Sequence, residues 1–259
     1  MQRVLFHSTI FGPIRSRRLG SSLGINLMPD DGKICSFDCL YCEAGFNAQG
    51  PGTTGLPSRD DVRRMLDERL CAMKENGEPL DVITFSGNGE PTLHPDFAGV
   101  VDDVIELRDK YFPNVKISVL TNSTRLGDKN VAAALAKVDN NIMKLDSLNE
   151  RTVRILDRPA PGYDIEKTVE RLAAFGKGGI VQTMLTRGSY NGETVDNTTA
   201  EELDALIEAY KTISPREIMI YTIDRPAPAA TLERIPRDEM ERIGNIIRTR
   251  TSIPVQVSC

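Results

Sequence analysis

CSFDCLYC, residues 35–42, places three cysteines at C-x3-C-x2-C spacing in a chain of 259 residues that has five cysteines in all. Three thiolates at this spacing on one loop can converge on a soft metal centre. A structural zinc site usually takes four protein ligands and commonly shows a second C-x2-C or H-x3-H pair. The sequence has no such pair, and its other candidate ligands lie far away: His7, His94, Cys71 and Cys259. Three ligands suit instead a 4Fe-4S cluster with one iron left open for a ligand that is not protein.

Around this loop, short apolar segments rich in Val and Ile alternate with amphipathic segments. The predicted strands are SLGINLM (22–28), LDVITFS (80–86), VKISVLTN (115–122), NIMKLD (141–146), GIVQTML (179–185), EIMIYT (217–222) and IPVQVS (253–258). Two predicted helices have clear starts, at Ser58 and at Thr199, and Thr199 with Glu202 resembles a capping box. Four further helices are predicted over 95–111, 128–137, 164–175 and 237–249. This alternation indicates parallel strands with right-handed crossovers. It predicts an α/β fold, either an open doubly wound sheet or a complete or partial barrel.

Polar side chains follow the predicted strands at their carboxyl ends. They are Ser86 and Asn88, Thr121 and Asn122, Lys144 and Asp146, Thr186 and Arg187, and Asp224 and Arg225. Functional groups at successive strand ends suit a barrel whose mouth is the active site. They also suit a doubly wound sheet, although its site would concentrate at one switch point. The pentapeptide DRPAP occurs at 157–161 and again at 224–228, which indicates similar loop chemistry in two turns.

Composition limits the partners and the compartment. The formal net charge of −5 argues against an extended polyanion-binding surface, although RSRR at 15–18 is a local basic cluster. No apolar run approaches the roughly 20 residues of a membrane helix, so we expect a soluble protein with no membrane partner. An odd number of cysteines and the lack of a charged-then-apolar leader predict the reducing cytoplasm.

With Tyr41 as the aromatic residue before the third cysteine, the cysteine motif resembles the C-x3-C-x-aromatic-C signature of the radical S-adenosylmethionine superfamily. GNGEP (87–91) directly follows a predicted strand and resembles the GGEP turn of that superfamily, which binds the methionine amino group. Asn88 between the first two glycines is a departure. Glycine lets the backbone approach a ligand closely because it has no Cβ. LTN (120–122) and KLDSLNE (144–150) resemble the segments that end the third and fourth strands, with lysine in place of a serine.

The resemblance covers roughly residues 22–225 and implies a partial (β/α)6 TIM barrel in a single domain. It implies an N-terminal extension (1–21), a core barrel (22–225) and a C-terminal helix and strand (226–259). It implies a 4Fe-4S cluster on Cys35, Cys39 and Cys42. It also implies S-adenosylmethionine held by Tyr41, Gly87, Asn88, Gly89, Glu90, Pro91, Asn122, Lys144 and Asp146. An external electron donor of the flavodoxin or ferredoxin type would drive reductive cleavage to a 5′-deoxyadenosyl radical, which abstracts hydrogen from a substrate.

FGPIRSRRLGSSLGINL (11–27) and KLDSLNERTVRILDRP (144–159) add a closer likeness to the wybutosine-synthesising branch, which modifies tRNA. Those enzymes carry a second cysteine triad, and this chain has no three spare cysteines. With the acidic balance, this departure favours a small anionic substrate over nucleic acid, and tRNA modification is the alternative. A non-enzymatic zinc or iron-sulfur sensory module is a further alternative. Arginine forks suit phosphate or carboxylate, and the candidates are Arg15, Arg17, Arg18, Arg158, Arg187 and Arg225.

Overall fold

The computed structural model describes residues 4–225 and 227–259. Its strands are β1 (Ile10–Ser16), β2 (Gly20–Ile25), β3 (Val82–Phe85), β4 (Lys116–Thr121), β5 (Asn140–Lys144), β6 (Ile180–Met184), β7 (Thr186–Tyr190), β8 (Glu193–Asp196), β9 (Glu217–Tyr221), β10 (Leu232–Arg234) and β11 (Val255–Ser258). Its α-helices are α1 (Arg59–Glu75), α2 (Phe97–Tyr111), α3 (Lys129–Leu135), α4 (Glu150–Leu156), α5 (Ile165–Phe175), α6 (Ala200–Ile213) and α7 (Arg237–Thr251).

Eight strands form one curled sheet in the order β1-β2-β3-β4-β5-β6-β9-β11. β1 is antiparallel to β2, and every neighbouring pair from β2 to β11 is parallel. The strand order follows the chain without the reversal that creates a switch point in a doubly wound sheet. The partial (β/α)6 TIM barrel is therefore confirmed, and the doubly wound alternative is wrong.

Alternation along the strands separates the two faces of this sheet. Met143, Val181 and Ile218 belong to the main core, which they form together with apolar residues of the helices. Their neighbours point the other way: a second apolar cluster joins Ile142, Ile180 and Met219 with Leu19 and Leu120. This cluster lies on the concave face of the barrel. Residues two positions further along the same strands, Lys144 and Tyr221, share that face at the carboxyl ends.

The predicted starts of helices α1 and α6 are confirmed, whereas the predicted capping box and the set of predicted elements need correction. Ser58 and Thr199 do cap α1 and α6, accepting from the backbone N–H of Asp61 and Glu202 at 3.1 and 3.3 Å. The capping box at Thr199 is wrong, however, because the Glu202 carboxylate instead accepts the hydroxyl of Ser147 at 2.6 Å. Helix α4, strand β1 and the small antiparallel sheet β10-β7-β8 were absent from the predicted elements.

The C-terminal segment continues the same sheet, because β11 pairs in parallel with β9 and α7 precedes it. The single-domain organisation and its boundaries stay a prediction. Within the described ranges, no helix has both the length and the apolar character required to cross a membrane.

Candidate active site at the mouth of the barrel

The cysteine loop follows β2 and is held on two sides by backbone contacts. Ile34 forms an isolated parallel bridge with Gly89, which lies after β3. On the other side, the backbone N–H of Asp38 donates to the carbonyl of Asp157 at 3.0 Å, just after α4. These contacts carry the three cysteines over the carboxyl ends of the strands, where a barrel of this type has its active site.

Burial dominates the chemistry of the thiols. Cys39 is buried, and Cys35 and Cys42 are partly exposed. Burial raises the pKa of Cys35 to about 12 and raises the pKa of Cys39 well above its ordinary value, and the charge of Cys42 adds to both shifts. The backbone N–H of Cys42 donates to the carbonyl of Cys39 at 3.1 Å, so these two residues share one turn of the loop. Thiolate ligands in such a place require a bound metal centre or a cation to stabilise them.

The donor chemistry of the loop fits an iron-sulfur cluster. Three cysteine thiols on one loop are the soft ligands that such clusters take. Lys33 supplies a nearby cation: it is 3 % exposed, and its ammonium donates to the carbonyl of Gly45 at 2.8 Å. Burial lowers the pKa of Lys33, but Cys42, Cys35, Cys39 and Asp38 raise it above its ordinary value. In residues 4–225 and 227–259, no three His, Cys, Asp or Glu side chains lie close enough to share a single metal ion. The thiolates of a 4Fe-4S cluster bind different irons and lie further apart than the ligands of one ion.

The GNGEP turn after β3 is built against the cysteine loop. Gly89 has φ +147°, and a Cβ there would lie 1.9 Å from the carbonyl oxygen of Ile34. Gly87 has φ +139°, and its Cβ would meet the side chain of Asn26 at 2.5 Å. Both glycines are therefore required by contacts within the protein. The side chain of Asn88 is buried and holds the N-terminal segment, accepting the N–H of Phe6 at 2.9 Å.

Glu90 is a buried carboxylate, 2 % exposed, that links the ends of β3 and β4. It accepts the hydroxyl of Thr121 at 2.8 Å and the backbone N–H of Asn122 at 2.6 Å. Burial raises the pKa of Glu90, and the hydrogen bonds it accepts, that from Asn122 first, oppose this shift. Pro91 begins the short 3-10 turn Pro91–Leu93 and is also buried. Glu90 is thus a buried carboxylate and not a solvated turn residue.

Lys144 lies at the centre of a buried charge cluster on the concave face. Its ammonium donates to the carboxylate of Asp157 at 2.7 Å and contacts Asp146 and the hydroxyl of Tyr41. The Tyr41 hydroxyl in turn donates to Asp146. Burial lowers the pKa of Lys144, but Asp146 and Asp157 raise it well above its ordinary value, so the lysine stays charged. Tyr41 belongs to the cysteine loop, so its contact with Lys144 places this cluster beside that loop.

Asn122 connects the two halves of the site. Its side-chain amide donates to the hydroxyl of Ser36 at 2.9 Å and lies 3.5 Å from the sulfur of Cys35. The structure therefore brings Tyr41, Asn122, Lys144 and Asp146 together with the cysteines. Their roles toward a cofactor stay predictions. The amide of Asn88 faces the N-terminal segment. Apart from Glu90, the turn therefore offers a ligand mainly backbone groups.

Most of the candidate arginines are committed to carboxylates. Arg17 pairs with Asp224 at 3.3 Å, Arg225 with Glu43 at 2.9 Å and Arg158 with Asp38 at 2.9 Å, and Arg187 contacts Glu239. Arg15 is exposed on β1. Arg18 differs: its guanidinium lies over the ring of Tyr221, 4.7 Å from the centroid.

Sequence reasoning missed three residues of the site, namely Lys33, Asp157 and Tyr221. Asp157 begins the first DRPAP pentapeptide, so its repeated motif was a usable signal. Tyr221 is the penultimate residue of the predicted strand 217–222. Because side chains alternate along a strand, Tyr221 shares the face of Met219, and this alternation was a usable signal. Lys33 is one charge in a polar loop, and nothing in the sequence marks it as buried.

Comparison with known proteins defines the class of this chain. A profile of the Radical SAM superfamily matches residues 31–199, which include the cysteine loop and the GNGEP turn. The chain belongs to the Radical SAM superfamily, and as a member it is an enzyme that uses a 4Fe-4S cluster and S-adenosylmethionine. Within it, the chain belongs to the UPF0026 family: it is 31% identical over 239 residues to a UPF0026 protein of Methanocaldococcus jannaschii, covering 89% of this chain and 68% of that protein.

Two further comparisons bear on length and fold. A Brachyspira hyodysenteriae protein named GTPase Obg is 29% identical over 255 residues, which cover 96% of this chain but only 35% of that protein. The chain therefore spans about a third of the length of that relative. The crystal structure of Streptococcus suis SuiB bound to precursor peptide SuiA superposes with a TM-score of 0.63 at 16% identity, over 93% of this chain and 50% of that chain. This likeness supports the fold of the barrel.

Proposed function

We propose that this enzyme abstracts a hydrogen atom from a small anionic substrate on the concave face of the barrel, above the cysteine loop. The observation that carries the proposal is the meeting of four chemical groups at successive strand ends. They are the thiols after β2, Glu90 after β3, Asn122 after β4, and Lys144 with Asp146 at and after β5. Such convergence at the carboxyl ends of parallel strands is where barrel enzymes carry out their chemistry.

Cys35, Cys39 and Cys42 would hold the cluster, and the pocket beside it would hold S-adenosylmethionine. Bound there, the two groups supply an electron and a 5′-deoxyadenosyl radical. The backbone of residues 87–91 and the side chain of Glu90 would orient the amino acid end of that cofactor. Lys144, Asp146 and Tyr41 offer one cation, one carboxylate and one hydroxyl to its remaining polar groups.

The burial of the site suits radical chemistry, because stray hydrogen donors and water must be kept from the reacting atoms. Asp146 is 2 % exposed, and Cys39 is 9 % exposed. The partly exposed Cys35 and Cys42 leave the loop accessible to an external electron donor of the flavodoxin or ferredoxin type. Five free cysteines suit work in the reducing cytoplasm.

The small, anionic character of the substrate is supported by the charge arrangement. Four of the six candidate arginines are paired with carboxylates, so they offer little uncompensated positive surface to a folded RNA. The net charge of −5 agrees with this. The likeness to the wybutosine-synthesising branch supports tRNA modification as the second candidate function.

The test follows hydrogen from the substrate. Protein reconstituted anaerobically is incubated with S-adenosylmethionine, a reductant and fractionated extract of cells grown in deuterated water. We expect one fraction to increase the yield of 5′-deoxyadenosine and to place deuterium in it, as measured by mass spectrometry. The Cys39→Ala variant is expected to yield none, whereas Cys71→Ala, which changes a cysteine on α1, is expected to match the unmodified protein. Equal product from Cys39→Ala would refute the proposed function.

A further inference from the structure

The turn between β1 and β2 reaches across the barrel to its far side. The side-chain amide of Gln256 on β11 donates to the backbone carbonyl of Arg18 at 3.3 Å. Leu19 packs in the apolar cluster with Ile142 and Met219 on the concave face. The turn thus closes the lower part of the barrel interior, at the amino ends of the parallel strands. Arg18 faces the part of the interior nearer the carboxyl ends.

The guanidinium of Arg18 has no hydrogen-bond acceptor or carboxylate partner within the part of the chain that the structure describes. Its Nη1 atom is buried and unpaired. The neighbouring Arg17 has Asp224, and Glu43, whose charge acts on Arg18, is bound to Arg225 at 2.9 Å. Burial lowers the pKa of Arg18, although a guanidinium remains charged at any physiological pH. Arg18 as a whole is partly buried, but its Nη1 atom is shielded from solvent. A buried donor without an acceptor is costly, and each such group in a native protein requires an explanation.

A second unpaired donor faces the same interior. Gln182 on β6 is 8 % exposed, and its Nε2 atom has no hydrogen-bond partner among the described residues. It shares the face of Ile180, the concave one, and it lies opposite Met219 on β9. Tyr221, on which Arg18 stacks, is therefore a diagonal neighbour of Gln182 on the same face of the sheet.

Tyr221 also links these donors to the catalytic end of the barrel. Arg18 stacks on the ring of Tyr221. Gln182, a diagonal neighbour of Tyr221, lies opposite Lys144 on the adjacent strand β5. A molecule bound beside Arg18 and Gln182 would therefore have one end beside the Lys144 cluster.

We propose that Arg18, together with Gln182, binds the anionic group of the substrate, a carboxylate or a phosphate. The planar fork of arginine matches both groups with two parallel hydrogen bonds, and the amide of Gln182 provides a third donor. The inference rests on the proposed function, because it places the anionic end of the same substrate opposite the site of hydrogen abstraction. Closure of the lower interior by Leu19, Leu120, Ile142, Ile180 and Met219 restricts the ligand to a small molecule.

The test uses inorganic phosphate and malonate as probes for the two anionic groups. Each is titrated by calorimetry into reconstituted protein with S-adenosylmethionine present, at constant ionic strength set with potassium chloride. We expect saturable binding of at least one probe. Arg18→Gln should weaken that binding by roughly tenfold to a hundredfold, since hydrogen bonds to charged groups are worth about 1.5–3 kcal/mol. Arg18→Lys should give an intermediate affinity, because it keeps the charge and loses the fork.

Arg15→Gln is the matched control, because Arg15 is on the same hairpin but exposed. The affinity of this variant for the probe should stay within about twofold of that of the unmodified protein. Gln182→Met should weaken binding less than Arg18→Gln does. The visible absorption of the cluster reports whether each variant is folded.

Absence of saturable binding to the unmodified protein, or unchanged affinity in Arg18→Gln, would overturn the inference. If the unmodified protein binds neither probe yet still cleaves S-adenosylmethionine, only the inference fails; if it cleaves none, the proposed function fails and the inference with it.

Discussion

At the scale of single residues, the cysteine loop concentrates negative charge that nearby cations must balance. The three thiols, of which Cys39 is buried and Cys35 and Cys42 are partly exposed, become thiolates when they ligate a metal centre, and they then require nearby cations. Asp38, in the middle of the loop, adds a further negative charge and accepts the N–H of Asn47 at 2.6 Å. Lys33 and Arg158 compensate, lying 3.6 and 2.9 Å from the carboxylate of Asp38. The loop is thus built as a balanced ionic assembly around its sulfur ligands.

The first prediction concerns the ligands. Replacing Cys35, Cys39 or Cys42 by Ala should remove the visible charge-transfer absorption and lower the iron content of reconstituted protein, because each supplies one of the soft ligands that the cluster requires. Cys71→Ala and Cys259→Ala are the controls and should retain full iron content. EPR of the reduced protein checks the cluster type. An intact cluster in the triple alanine variant would contradict the assignment.

The second prediction concerns Lys33. Replacing it by Met removes a buried positive charge beside the cluster ligands, which should make reduction less favourable. We expect the midpoint potential to fall by on the order of 50–100 mV, equivalent to about 1–2 kcal/mol for one electron. Potentiometric titration followed by EPR provides the measurement. Lys33→Arg keeps the charge and serves as the comparison. A potential equal to that of the unmodified protein in Lys33→Met would show that the lysine acts only on packing.

At the scale of elements, the loop after β2 and the turn after β3 are one unit. The backbone N–H of Glu90 donates to the carbonyl of Ile34 at 3.0 Å, and the N–H of Ile34 donates to the carbonyl of Asn88 at 3.2 Å. From the sequence alone, a larger residue at Gly89 would be expected to obstruct the cofactor and spare the cluster. The contact between Gly89 and Ile34 indicates that such a change displaces the cysteine loop as well.

The third prediction follows from this contact. Gly89→Ala places a Cβ against a backbone carbonyl that cannot move without the loop, so we expect a loss of at least about 3 kcal/mol of stability and a reduced cluster content. Thermal unfolding and iron analysis measure the two effects. Gly178→Ala is the matched control, because nothing lies within 4 Å of the Cβ that it adds. Normal cluster content with weakened S-adenosylmethionine binding in Gly89→Ala would instead support an effect on the ligand alone.

The elements also show what sequence can and cannot predict. All seven parallel strands were predicted, because each is a short apolar run whose residues fill two packed faces. β1 was missed because it lies at the edge of the sheet and four of its seven residues are only partly buried, which leaves no clean alternation. The strands β7, β8 and β10 are short and polar; β7 and β8 form a hairpin, and β10 pairs with β7 from a distant part of the chain. Lys144 could be predicted at a strand end, but its contact with Asp157 could not.

At the scale of the whole molecule, the distribution of charge separates the two candidate substrates. A folded RNA bound through many phosphates releases counterions, and its affinity then falls by about 10³–10⁵ between roughly 50 and 200 mM salt. The arginines that could form such a surface are largely paired with Asp224, Glu43, Asp38 and Glu239. This pairing supports our proposal that the ligand enters the barrel and does not cover its surface.

The fourth prediction tests this difference. Bulk tRNA titrated at two salt concentrations should bind weakly, with a loss of less than about tenfold in affinity between them, because few phosphates are neutralised. Fluorescence anisotropy of labelled tRNA gives the affinities. The triple variant Arg15→Ala, Arg17→Ala, Arg18→Ala is compared with the unmodified protein. Tight binding that falls steeply with salt and is abolished in the triple variant would favour tRNA modification.

The turn that crosses the barrel has a consequence for how the enzyme is assembled. The hydrogen bond between Gln256 and Arg18 joins residues separated by 238 positions, and the cation–π contact of Arg18 requires β9 to be in place. Contacts of higher sequence separation carry a larger loop-closure cost, by about 0.6 kcal/mol for each doubling of the loop, which favours their forming later in folding. The cysteine loop, by contrast, draws on Gly89 and Asp157, which are much nearer in the chain. A folding intermediate could therefore acquire its metal ligands before its substrate anchor exists, so that recognition of the substrate becomes competent last.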